Sequence, residues 1–285
     1  MNRIPKVEVS IIGGSAILGS GFPQGFEDVE VNADEVVFET PFGPTAPFTH
    51  ASVDGREFLF VPFHGITPQI RNTTPNSAAE RVFYVLMQAG VKKIIGCALC
   101  GSTNRLLEPA DVVIPDGFVD YTTKRAQSLT RSLIDKGTQV DPIMYRLHQP
   151  FCPVLSRLLA DAAETKFPRV FRRGIVGVSE GPRLESPSEI RIRYTEAGLD
   201  IVTMNLVPEV FFAREIGACY AALELVSNYG EGLVSTEWHG PEAFREFREQ
   251  WCQVVAQAIL GAVREMDAHD ESCGCARHIW TTIIQ

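Results

Sequence analysis

The sequence predicts a single α/β domain with a mixed central sheet flanked by helices. Three observations carry that expectation. Short apolar runs alternate with helix-period patterns along the whole chain. No linker, low-complexity stretch or internal repeat interrupts them. The composition, 45% apolar and 21% charged over 285 residues, is that of an ordinary globular chain and excludes a disordered one.

The elements follow in order. Residues 7–12 (VEVSII) read as a strand ending in Gly13-Gly14, and 57–63 (EFLFVPF) as another. Residues 76–89 have helical spacing through Val82 and Leu86, and 91–99 (VKKIIGCAL) read as a buried strand. Further strands are expected at 111–119, 170–178, 200–206 and 219–226. Helices are expected at 150–165, 188–198 and 208–217, the last two closed by C-cap glycines. The clearest element is 241–266, where Phe244, Phe247, Trp251, Val255, Ile259 and Val263 keep helix period. Pro241 suits its first turn. The segment 122–144 reads as a long functional loop. The single domain spans 1–285, with a tail from 267.

Lys plus Arg number 26 and Asp plus Glu 35, giving a net charge of −9. That balance disfavours nucleic acid and anionic membrane surfaces as partners. No apolar run has the roughly 20 residues of a membrane helix. The seven cysteines, the odd count and the lack of a readable secretory signal point to a reducing cytoplasm. Cys97 and Cys100 have metal-like spacing but fall in a strand with no second pair facing them, so no metal site is expected. Cys273-Gly274-Cys275 reads as free thiols, with a strained disulfide as the alternative.

Several polar junctions sit at strand ends. Gly13-Gly14-Ser15 offers backbone N–H groups and a hydroxyl to an anion, although alone it reads as a plain strand-to-turn glycine pair. Gly13, Gly14 and Gly19 lack the G-x-G-x-x-G spacing of a dinucleotide fingerprint. His64 at a strand end can donate to a phosphate or a sugar hydroxyl, or simply bond backbone. Glu180-Gly181-Pro182-Arg183-Leu184-Glu185-Ser186, Met204 to Val210, and Ser227 to Gly230 close further strands. Such ends converge on one crevice in open α/β sheets.

In this order, Ile-Ile-Gly-Gly at the first strand, Glu-Thr-Pro-Phe-Gly at 39–43, His64, Cys100-Gly101-Ser102, Glu-Gly-Pro-Arg at 180–183, and Met204 followed by Val-Pro-Glu-Val at 207–210 carry a resemblance. The chain resembles the trimeric purine nucleoside phosphorylase and methylthioadenosine (methylthioinosine) phosphorylase family from residue 7 to about residue 266. The resemblance implies cleavage of a purine nucleoside by inorganic phosphate to free base and sugar 1-phosphate. It also implies a homotrimer with sites near subunit interfaces, and no metal or organic cofactor.

The resemblance further implies a 6-oxopurine. Glu185 and Asn228 stand where 6-oxopurine-preferring members carry Glu and Asn, whereas 6-aminopurine-preferring members have Asp in place of the Asn. Asn228 can serve O6 and N7 together, and Glu185 can accept from N1–H. With His64 they form the expected catalytic set. Ser15, Gly14, His64 and Asn205 are the expected phosphate ligands. Leu99, Cys100, Gly101, Leu184, Val202, Met204, Ser227, Gly230 and His239 are expected around base and sugar.

One departure stands out. Family members carry an Arg at or beside the position before the strand-end His; here Val61-Pro62-Phe63 stands there. The family Thr or Ser after Met is Asn205, and Ala98 and Leu99 precede Cys100. Loss of the guanidinium fork removes charge-assisted hydrogen bonds to phosphate; Arg71 is a candidate substitute. The lost cation keeps two other readings open: a nucleosidase using water, and a purine-binding protein without turnover.

Overall fold

A computed structural model of the chain describes residues 2–62, 75–141, 143–235 and 240–280. The first strands are β1 (Val9–Gly13), β2 (Val29–Val36), β3 (Phe48–Val53) and β4 (Arg56–Pro62). Helix α1 (Pro75–Ala89) leads into β5 (Lys93–Ser102), β6 (Val112–Val113) and β7 (Gly117–Asp120). Then come α2 (Leu129–Asp135), β8 (Met144–Tyr145), α3 (Pro153–Glu164), β9 (Val170–Phe171) and β10 (Ile175–Val178). A short α4 (Pro187–Glu189) runs into a π-turn at Ile190–Thr195, followed by β11 (Ile201–Thr203), α5 (Glu209–Glu215) and β12 (Cys219–Tyr229). The chain closes with α6 (Gly240–Glu265), a 3₁₀ turn at Cys275–His278, and β13 (Ile279–Trp280).

Eleven strands join one mixed sheet among the described residues. Its axis is β5, buried on both faces over all ten residues. β1 runs parallel along Lys93–Gly96, and β12 runs parallel along the full length of β5. At the far end of β5, β11 pairs antiparallel through Ile201↔Ser102 and Val202↔Gly101. One apolar layer packs α1 and α5 against this sheet through Val82, Phe83, Leu86 and Phe212. The other packs α3 and α6 through Leu155, Leu159, Val255, Ile259 and Val263. The mixed α/β domain expected from the sequence is the fold observed.

The differences have local causes. The strand expected at 111–119 is two strands, because Pro115 lacks an N–H and the chain changes partner across it: β6 pairs β12 and β9, whereas β7 pairs β10. The strand expected at 170–178 is likewise β9 and β10, separated at Gly174. There, a Cβ would come within 2.6 Å of Val113. The helix expected at 188–198 is only α4 and its π-turn. The expected loop at 122–144 contains α2. Ser128 caps it, its hydroxyl accepting from Arg131 N–H at 3.0 Å. The buried Glu215 carboxylate accepts from Leu129 and Thr130 N–H at 2.6 and 3.0 Å. The tail is packed: β13 pairs antiparallel with β8.

Glu215→Ala should leave two buried N–H groups unmatched. A loss of about 1–3 kcal/mol is expected from a urea unfolding midpoint, with the far-ultraviolet spectrum of the folded protein nearly unchanged.

Candidate active site at the strand ends

β5 supplies the floor of the site. The Leu99 N–H donates to Ser15 Oγ at 3.2 Å, tying the turn after β1 to the end of β5. Gly13 has a packing reason: a Cβ there would lie 2.6 Å from the Phe60 ring. Across β5, β12 carries a bulge, since Val226 pairs with Cys100 and Asn228 with Gly101. Ser227 is the extra residue, and such a bulge re-aims the side chains beside it. Ser227 Oγ lies 3.2 Å from the Cys100 carbonyl and 2.8 Å from Asn228 Oδ1. Asn228 Nδ2 donates to the Tyr229 carbonyl at 3.0 Å. Gly230 N–H donates to Ser102 O at 2.7 Å.

Gly101 keeps the space between these groups open. A Cβ there would meet Val202 Cγ1 at 3.2 Å and Asn228 Nδ2 at 3.5 Å. The structure therefore brings Gly101, Val202, Asn228 and Gly230 together, with Ser15 and Leu99 joined on the same strand end. Gly181 (φ +68°) joins Met204 to this end, since a Cβ there would lie 2.6 Å from Met204 Sδ. Past Gly230 the chain packs on the segment after Glu185: Gly232 abuts Pro187, and Gly230 abuts Ile190.

Glu185 is 9% exposed, and among the described residues no donor lies within hydrogen-bond distance of its carboxylate. The neighbouring Arg183 is committed elsewhere, forking onto Glu189 at 2.9 Å through both terminal nitrogens. The Glu185 oxygens are therefore free to accept from solvent or from a ligand N–H. Leu184, expected in the apolar wall, is 49% exposed.

Asn205 is placed differently from the other expected ligands. It is buried, its Oδ1 accepts from the Thr203 hydroxyl, and its Nδ2 donates to Glu224 Oε1 at 2.7 Å. Both polar ends of the amide thus engage a buried network beneath the site. Thr203 and Glu224 escaped the sequence reading, although a signal existed: Glu224 is the one charged residue in the apolar run 219–226. Arg125, also missed, lies buried under the 180–183 loop. It donates to the Ser179 and Glu180 carbonyls at 3.0 and 3.1 Å. Burial lowers its pKa, and the Glu180 carboxylate opposes that shift.

On the side where the sequence leads to an expected phosphate, Val61 pairs with Ile12 and Pro62 with Gly13. The strand end beside the Gly13–Ser15 turn thus presents a fully buried valine and a residue without an N–H. His64, Arg71 and His239 lie outside the described residues.

Cys97 and Cys100 face opposite layers of the core, as the period-two alternation of a strand requires. They cannot grip one ion between them. Burial pushes the Cys97 thiol up to about 12.

Strand ends of this kind are where α/β enzymes hold small ligands, and comparison with known proteins defines the class. A sequence profile described as "Phosphorylase superfamily" matches residues 16–264, and the chain belongs to that superfamily. Its relatives narrow the kinship. An S-methyl-5'-thioadenosine phosphorylase of Pyrococcus abyssi is 31% identical over 99% of this chain and all of the relative. A probable 6-oxopurine nucleoside phosphorylase of Moorella thermoacetica is 30% identical over 95% of this chain and 97% of the relative. Among solved structures, methylthioadenosine phosphorylase from Schistosoma mansoni in complex with adenine superposes with a TM-score of 0.79 at 26% identity, covering 96% of each chain.

Gly181→Ala should test the approach of the 180–183 loop to Met204. The left-handed φ and the displaced thioether together should raise the KM for nucleoside about tenfold, which corresponds to about 1.4 kcal/mol. Steady-state kinetics alongside a thermal melt separates that effect from a loss of fold.

Proposed function

We propose that this protein is a pentosyltransferase that cleaves the N-glycosidic bond of a 6-oxopurine nucleoside by phosphorolysis, yielding free base and sugar 1-phosphate. The observation that carries the reading is the pair of groups at the strand ends. Asn228 is re-aimed by a bulge over the open floor at Gly101, and Glu185 is 9% exposed, its carboxylate without a donor among the described residues. An N1–H donor on the base satisfies Glu185, and the Asn228 Nδ2 donates to O6 or N7, both of which are acceptors in the nucleoside. As the bond breaks, negative charge grows on the purine, and a donor at N7 or O6 stabilises it. The sugar passes through an oxocarbenium-like state, so the attacking oxygen needs positioning more than activation. Ser15, with the Gly14 backbone beside it, and His64 are assigned to that positioning. Asn205 acts from below through Thr203.

The same reading includes a homotrimer in the cytoplasm, a role in purine salvage, and inorganic phosphate as the sole co-substrate, with no metal or organic cofactor in the chemistry. Free cysteines are compatible with a reducing compartment. A stable monomer by sedimentation at micromolar concentration would remove the assembly from the proposal.

A second reading rests on a specific observation, the Val61-Pro62 strand end beside the Gly13–Ser15 turn. With Val61-Pro62-Phe63 standing in place of the family's arginine, water takes the place of phosphate in this reading, His64 orienting it. Base release from inosine, guanosine, adenosine and methylthioadenosine, with and without phosphate, decides between them. Phosphorolysis predicts release that requires phosphate, fastest with the 6-oxopurines. Phosphate-independent release identifies a nucleosidase, and no release from any of the four favours a binding protein.

Two quantitative expectations follow from the site. Asn228→Asp should lower the ratio of inosine to adenosine kcat/KM by about tenfold or more, because the carboxylate no longer donates to O6 and accepts from a 6-amino group instead. Phosphate should bind weakly. One missing charge-assisted contact is worth about 1.5–3 kcal/mol, or about ten- to a hundredfold in affinity, so the phosphate KM should lie in the millimolar range at about pH 7.5. Saturation at micromolar phosphate would show that another cation, with Arg71 as the candidate, completes the site.

A further inference from the structure

The cysteines that the nucleoside site does not use converge at the other end of the sheet. Cys152 precedes the first turn of α3, Cys219 opens β12, and Cys273 and Cys275 come from the tail beyond α6. Their four sulfurs all lie within 4.8 Å of one another. Cys219 Sγ and Cys273 Sγ lie 3.5 Å apart. A tetrahedron with zinc–sulfur bonds of about 2.3 Å has sulfur–sulfur edges of about 3.8 Å, so the cluster has the dimensions of a tetrathiolate shell.

The surroundings suit bound thiolates. Cys152, Cys219 and Cys275 are 0%, 7% and 6% exposed. The Leu155 N–H donates to Cys152 Sγ at 3.5 Å, and Lys93 Nζ reaches Cys219 Sγ at 3.6 Å. Four thiolates around a divalent ion carry a net charge of −2, and a lysine and backbone N–H groups are what such a centre needs beside it. Gly274 sits at φ +68°, a left-handed turn that suits glycine and reverses the chain between the two tail cysteines. Lys93 Nζ also donates to the Asp270 carbonyl at 2.6 Å, and the buried Arg214 donates to the Cys275 and Gln149 carbonyls. The tail is thus anchored on both sides of the cluster.

We propose that Cys152, Cys219, Cys273 and Cys275 form a structural tetrathiolate site for zinc, which fastens the C-terminal tail to the N-terminal end of β12 and to α3. Binding displaces the thiol protons to solvent and involves no change of oxidation state. All four positions are filled by protein sulfur, so no place is left for a reacting water, and the site is structural rather than catalytic.

The test uses the full-length protein, purified under reducing conditions without chelator and dialysed against a weak chelator. Elemental analysis should find about one zinc per chain, and cadmium substitution should give a thiolate charge-transfer band in the ultraviolet. The Cys273→Ser/Cys275→Ser variant should lose the metal and melt about 5 °C or more lower, with kcat for phosphorolysis within about twofold of wild type at 25 °C. Should that variant fail to fold, the metal content and the cadmium band of the wild type carry the test alone. Wild type without stoichiometric metal after zinc loading would overturn the proposal. So would metal that persists in a folded double variant, or a mass showing the four thiols joined as two disulfides.

Discussion

Burial of β5 on both faces is the constraint on which the rest of the structure depends. A strand with apolar side chains above and below must be covered by two layers, and its backbone groups must be paired on both edges. β1 and β12 supply the edges in parallel register, and the helices supply the layers. Close packing at the axis then demands glycine. A Cβ at Gly96 would lie 2.4 Å from the Tyr220 hydroxyl, which donates to Glu209 Oε2 at 2.7 Å. The axis thus also fixes the helix that follows β11, because Glu209 opens α5 and accepts from the Leu206 N–H at 3.2 Å.

The site is a consequence of how this axis ends. β1 pairs with β5 only as far as Gly96, and β11 takes over in the opposite direction at Gly101 and Ser102. Between those two partners the strand end opens. The bulge at Ser227 occurs where β12 passes that change of partner, and it carries Asn228 to the opening. Beneath it, Glu224 holds Thr203 and Asn205 from β12. The two strands that carry the floor of the site are therefore tied by a buried polar network as well as by β5.

Most of the fold was legible because the buried strands and long helices announce themselves by period. Residues 91–99 and 241–266 match β5 and α6 to within about three residues. β2 and β3 were not read. β2 is mostly exposed along its length, with Glu30, Asn32, Asp34 and Glu35 among its residues, so no apolar run marks it. α2 was hidden because its 7 residues are too few to show a helix period, and besides the local cap Ser128 its first N–H groups are held by Glu215, more than 80 positions away in the chain. The site residues on strand ends were readable from motif order. The network under them was not, because hydrogen bonding between Asn205 and Glu224 depends on the segments of β11 and β12 flanking β5 from opposite edges. The four-cysteine cluster was illegible for the same reason. Cys152 and Cys219 stand far from the tail in sequence, and only the sheet brings them to one point.

The two chemical ends of the molecule share a single strand. β12 begins at Cys219 among the thiols and reaches the candidate site at Asn228, pairing in parallel with β5 all the way except at the bulged Ser227. A strand rises about 3.3 Å per residue, so the thiol cluster lies about 30 Å from the Asn228 amide. At that distance a unit charge on the sulfurs acts on a charge beside the amide by only about 0.5 kcal/mol at an effective dielectric constant of about 20. What the strand can transmit is register. Its N-terminal end is held by Cys219, whose N–H donates to the Lys92 carbonyl at 2.8 Å, and by the Lys93 ammonium against the sulfur. Its C-terminal end is held by the Ser227 contact with Cys100 and by Gly230 on Ser102. A slip of one residue would turn every buried side chain of β12 to the wrong layer, placing Glu224 in the apolar packing and moving Asn228 off Gly101. Fixing the lower end of β12 therefore supports the alignment of the Asn228 amide from a distance, and the Cys219 backbone contact with Lys92 holds that register independently of the tail cysteines.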